Sequence, residues 1–107
     1  MPDGTLALGE LAEQVRSKNA GPFWITLDIF FADEARYRRV ASSGVLSAET
    51  IGRLYRVGPE TVQCFELPGV LALKVSFPRS VTAGSFEDRD LHAGQQHVPL
   101  LGLPIPP

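Results

Sequence analysis

Residues able to do chemistry are few in this chain, and they fall early and late. Arg16-Ser17-Lys18-Asn19-Ala20-Gly21 combines two cations, a hydroxyl, an amide and a glycine. Successive backbone amides near a glycine, with Lys and Arg beside them, suit a carboxylate or a phosphate. The Gly-x4-Gly-Lys-Ser/Thr spacing of a P-loop is missing, and a solvated turn with ordinary surface charges accounts for the same residues. His97 lies in Gly94-Gln95-Gln96-His97-Val98-Pro99. An imidazole there could serve as acid, base or ligand, or could order the tail through backbone hydrogen bonds. His92, Asp88 and Asp90 are near in sequence, but their spacing fits no zinc pattern, and no metal is expected.

Asp28 stands in the hydrophobic run Phe23 to Phe31. A carboxylate in such a strand needs water or a partner. It is read either as a catalytic carboxylate or as a structural ion pair with Lys18, Lys74 or Arg79. Cys64, the single cysteine, sits in mid-strand and is expected to be a small core hydrophobe. No Gly-x-Ser-x-Gly elbow occurs, so a hydrolase triad has no support.

These residues need a scaffold. With 107 residues the chain suffices for one domain with one core. A net charge of −2 provides no global attraction to nucleic acid or anionic lipid. One cysteine excludes an intramolecular disulfide and points to a reducing compartment. The N-terminus lacks the basic-then-apolar pattern of a signal peptide, and no apolar stretch is long enough to span a membrane, so the expected location is the cytoplasm.

Thr5 to Val15 reads as a short strand passing into a helical or extended segment, and residues 17–22 as a loop broken by Gly21-Pro22. Phe23 to Phe31 is a strand: Phe23, Ile25, Leu27, Ile29 and Phe31 face a core, while Trp24, Thr26, Asp28 and Phe30 face the other way. Asp33 caps a helix burying Tyr37, Val40 and Ala41, and Gly44 ends it. Ser47 caps a second helix carrying Ile51, Leu54 and Tyr55, stopped at Gly58-Pro59. Two alternating runs across Pro68-Gly69 predict an antiparallel hairpin. Residues 78–107 hold five prolines, three glycines and both histidines, and form a long irregular segment whose Val98, Leu100, Leu101, Leu103 and Ile105 dock on the core.

Leu46 to Val62 imitates a DNA-binding helix-turn-helix. Pro68-Gly69 follows too soon for a recognition helix, and 63–67 offers no cation for phosphates. Nucleic-acid binding is therefore the least favoured reading.

The motifs together resemble a known family. Leu8-Gly9-Glu10-Leu11-Ala12, Arg16 to Pro22 and Thr26 to Ile29 look like its first half. Phe65 to Gly69, Ala72-Leu73-Lys74, Pro78-Arg79, Gly84-Ser85, Asp90 and Gly94-x-Gln96-His97-x-Pro99-Leu100-Leu101 look like its second. The family is a small bacterial domain of unknown function met beside acyclic-terpene-utilisation (AtuA-like) proteins. The chain is also similar to the ferredoxin-fold domain at the C-terminus of AtuA-like proteins, in which an Arg-Ser-Gly-Asp-Lys-Gly loop stands where this chain has Arg16 to Gly21. The resemblance implies one α+β domain over 1–107: a ferredoxin-like antiparallel sheet with helices on one face. It implies a small subunit or companion of an AtuA-like chain in catabolism of branched or carboxylated acids or their CoA thioesters, with no cofactor of its own. Lys18 and Arg79 would be charge clamps and His97 a proton carrier. Arg16, Ser17, Asn19, Gly21, Asp28, Asp90 and Gln96 would border the same anion-binding cleft. The alternative is a self-sufficient homo-oligomeric enzyme with these residues at its interface.

Overall fold

A computed structural model describes residues 4–19, 24–78 and 98–107. Period-two alternation forms the centre. Strand β3 (Trp24–Phe30) pairs antiparallel with β5 (Ala72–Pro78), matching Ile25 to Phe77, Leu27 to Val75 and Ile29 to Leu73. All six of these side chains are buried. Each such burial stabilises the fold by roughly 1.5–3 kcal/mol.

Strand β2 (Gln14–Asn19) flanks β3 and β4 (Gln63–Leu67) flanks β5, both antiparallel, giving the order β2-β3-β5-β4. It follows that β3 and β4 run parallel with β5 between them. Helices α2 (Glu34–Ser43) and α3 (Ala48–Tyr55) connect them, a split β-α-β unit. The fold is α+β; the β3-β5-β4 part of the sheet has the arrangement of one split β-α-β half of a ferredoxin-like sheet, and the fourth strand, β2, comes from before β3 in the chain.

The helices lie on one face. Tyr37 and Val40 of α2 and Ile51 of α3 join the strand residues in one core. Asp33 caps α2, accepting a 2.8 Å hydrogen bond from the Arg36 amide, and Gly44 ends it with φ +73°. Ser47 caps α3 through the Thr50 amide. Each such cap contributes about 1 kcal/mol. Helix α3 does not run to Gly58-Pro59 as expected. Arg56 adopts the left-handed conformation, φ +60°, and donates its amide to the Gly52 carbonyl. Residues Pro59–Thr61 then make one 3-10 turn and β4 follows, so no recognition helix comes after α3.

The two ends of the chain meet. Strand β1 (Leu6–Ala7) pairs antiparallel with β6 (Pro104–Ile105), and the short helices α1 (Leu8–Leu11) and α4 (Val98–Leu101) sit beside them. Leu8, Leu100 and Ile105 are wholly buried, as a docking segment requires. Arg39 of α2 holds this corner, donating to the carbonyls of Gly4, Ile105 and Pro106.

The expected loop at 17–22 is corrected for its first half. Ser17, Lys18 and Asn19 belong to β2, paired with Leu27, Thr26 and Ile25. The polar run hid the strand because β2 is an edge strand whose alternate residues face solvent. Cys64 is also corrected: it is exposed, not a core residue, because β4 lies at the sheet margin.

Candidate functional site

The sheet's second face carries the charges. Register places Arg16, Asp28, Lys74 and Phe65 in one row across all four strands. The next row is Lys18, Thr26, Ser76 and Gln63. Beyond it Trp24 lies opposite Pro78, and on the other side Gln14, Phe30, Ala72 and Leu67 form a row. Strand geometry dictates this sorting, since successive residues point to opposite faces.

The centre of this face is closely packed. Thr26 is buried, and its hydroxyl lies 3.1 Å from that of Ser76 across the strand pair. Asp28 is half-buried, flanked in register by Arg16 and Lys74, with Lys18 Nζ 4.0 Å from its Oδ2. The Lys18 side chain is 67% exposed and the Asp28 side chain 19%. Three cations thus stand around one carboxylate, in a chain whose net charge is −2. Trp24 and Phe65, both exposed, rim the patch. Such a face attracts an anion through Arg16, Lys18 and Lys74 and offers aromatic surface beside it.

Ser17 does not share it. Its position opposite Leu27 turns the side chain toward the core, where the hydroxyl is buried with no hydrogen-bond partner among the described residues. Of the expected cradle over Arg16 to Gly21, residues 16–19 are laddered to β3 as part of β2, and residues 20 and 21 lie outside the described residues. Asn19 ends β2 opposite Ile25. Gly21, Arg79, Asp90, Gln96 and His97 lie outside the described residues. The last residues of β2 and β5 lie at the same end of the sheet, on either side of β3, since Asn19 pairs with Ile25 and Pro78 with the neighbouring Trp24.

Two features were missed from sequence. Lys74 enters the sequence reading only as a partner for Asp28, although its alternation with Ala72 and Ser76 already puts it on the open face. The Tyr37 hydroxyl is buried and unpartnered among the described residues, at a groove between α2 and β4 also lined by Arg38, Ser42 and Glu66. Burial raises this phenol's pKa, as does the Glu66 carboxylate, with Arg38 opposing. Cys64, though exposed as a residue, lines an adjoining crevice with Val40, Ala41, Leu46 and Val75, and partial burial of the thiol pushes its pKa up, with Glu49 adding to the shift.

Among the described residues, no three His, Cys, Asp or Glu side chains gather as a metal site would need. No helix there is long and apolar enough to cross a membrane. Searches of curated proteins and of solved structures return no match. A family profile does match, over residues 8–104, nearly the whole described fold. The chain belongs to the family described as domain of unknown function DUF4387.

Proposed function

We propose that this chain is a small subunit that docks through its open sheet face on a larger AtuA-like protein and contributes an anion-binding half-site. The observation that carries the reading is the row Arg16–Asp28–Lys74 with Lys18 alongside, on a face rimmed by exposed Trp24 and Phe65. A half-buried carboxylate among cations, bordered by exposed aromatic surface, suits an interface better than bulk water. The choice of partner rests on the resemblance of the Arg16 to Gly21 stretch and the Leu67-Pro68-Gly69 hairpin to the AtuA-like C-terminal domain.

In this reading the ligand is a small carboxylate or a CoA thioester of a branched or carboxylated acid. Lys18, with Arg16 and Lys74 near it, neutralises the anion. The resemblance assigns Arg79 as the second clamp, His97 as the proton carrier, and Asp90 and Gln96 to the border of the cleft. Asp28 keeps the Lys18 ammonium over the face. The larger chain supplies the remainder of the cleft.

The test is to purify the chain alone and together with an AtuA-like protein from the same genome. A stable complex, with turnover of carboxylated thioesters that neither chain shows alone, is the expected result. Alanine at Lys18 or His97 should abolish the joint activity while the complex and the fold persist. Failure to form a complex, with no gain of activity on mixing, overturns the reading.

A further inference from the structure

We infer that a second copy of this chain pairs with strand β4, joining two four-stranded sheets into one of eight strands. This surface is the sheet margin; it shares Phe65 with the open face invoked above, and the inference stands without any larger partner.

Three observations on β4 carry it. All five residues from Gln63 to Leu67 are exposed, although the neighbouring β5 is buried at every second position. Its outer side pairs with no strand among the described residues. Its hairpin also bears three of the four exposed large hydrophobic residues: Phe65 at 46%, Leu67 at 40% and Val70 at 62%.

Edge strands are normally protected against association by lysines, prolines, bulges or coverage. The opposite edge, β2, has such protection, with Arg16 and Lys18 exposed along it. Two copies of β2 would bring like charges together. Strand β4 contains no Lys, Arg or Pro, and its pairing with β5 runs through five successive residues without a bulge. Glu66 is its one charge.

Self-pairing meets no electrostatic obstacle. An antiparallel two-fold centred on Phe65 sets Phe65 against its own copy, Gln63 against the copy's Leu67 and Cys64 against the copy's Glu66. No carboxylate faces a carboxylate. The two aromatic rings meet on one face of the joined sheet, a favourable cross-strand pair. A closed two-fold contact also uses up both edges, so association stops at the dimer.

Light scattering and sedimentation of the reduced full chain, over a range of micromolar concentrations, test the idea. The wild type should have roughly twice the monomer mass of 11.6 kDa. Phe65→Lys sets two ammonium groups opposite each other and should weaken the dimer at least about tenfold. Circular dichroism of that variant checks that it folds. Independently, Glu66→Cys should oxidise to a covalent dimer joined between residues 64 and 66 of opposite copies, mapped by mass spectrometry. Wild type, with only Cys64, should not. A monomeric wild type overturns the inference, as does a dimer indifferent to Phe65→Lys that forms no such cross-link. A chain that stays monomeric alone and captures a foreign β-strand at this edge overturns it too.

Discussion

Lys18 reaches Asp28 diagonally across the β2–β3 ladder, with Nζ 4.0 Å from Oδ2, while the register partners of Asp28 are Arg16 and Lys74. Among the described residues the carboxylate makes its ion pair with Lys18, while Arg16 and Lys74 add two cations beside it in register. With Lys18 largely exposed, its ion pair contributes no more than about 0.5 kcal/mol to stability. Lys18→Ala should leave urea melts nearly unchanged, whereas anion binding by the assembled site should be lost. Asp28→Asn removes the competing negative charge and should tighten binding of a carboxylate, measured by titration calorimetry. Equal affinities in wild type and Asp28→Asn would remove the open face from the site.

Gly52 is a buried helical glycine whose absent side chain matters. A Cβ built there would stand 2.8 Å from the Val57 carbonyl oxygen and 3.3 Å from the Pro59 nitrogen. Both are backbone atoms, and the Gly52 carbonyl already accepts the Val57 amide at 3.0 Å. In an open helix, Gly→Ala stabilises by about 1 kcal/mol. Here the steric conflict wins, and Gly52→Ala should destabilise by roughly 1–3 kcal/mol. Chemical denaturation checks the sign: a stabilised variant would mean that the turn after α3 yields freely.

Alkaline pH should weaken the fold. Burial pushes the Tyr55 phenol well above its usual 10.0, with a backbone hydrogen bond at Leu100 opposing, and Tyr37 is raised as well. In the unfolded chain both phenols ionise near 10.0, while in the folded chain they keep their protons. The stability they contribute is complete below the unfolded value and is lost as pH rises from there through the folded values. Urea melts on both sides of pH 10.0 should show this decline, and Tyr55→Phe should make it shallower. A flat profile would contradict the burial of these phenols.

Local signals made much of this architecture legible. The alternation from Ile25 to Phe31 and from Leu73 to Phe77 marks the core directly, because each strand's buried face repeats every second residue. Asp33, Gly44 and Ser47 fulfil their capping roles because a cap is decided within a few residues. Strand β2 is less visible: its core-side residues include Val15 and the polar Ser17, and only pairing with β3 makes it extended. Arg56 ends α3 in a conformation usually given to glycine, which no composition rule anticipates. The cationic patch was half legible. Arg16, Lys18 and Asp28 could be named from sequence, but their alignment with Lys74 depends on a register spanning distant segments.

The Tyr37 hydroxyl offers a test in which removing a polar group should do no harm. The ring is buried in the core and packs edge-on against Phe31, with centroids 6.0 Å apart. Its oxygen has no hydrogen-bond partner among the described residues. A buried hydroxyl without a partner carries a desolvation cost of roughly 1–3 kcal/mol with nothing to offset it. Tyr37→Phe retains the ring contacts and removes that cost, so the melting temperature should stay level or rise. Tyr37→Ala, by contrast, opens a cavity under α2 and should cost about 3–5 kcal/mol. A clear loss of stability in the phenylalanine variant would show that the oxygen is paired in solution, and the groove between α2 and β4 would then be the place to look for what pairs it.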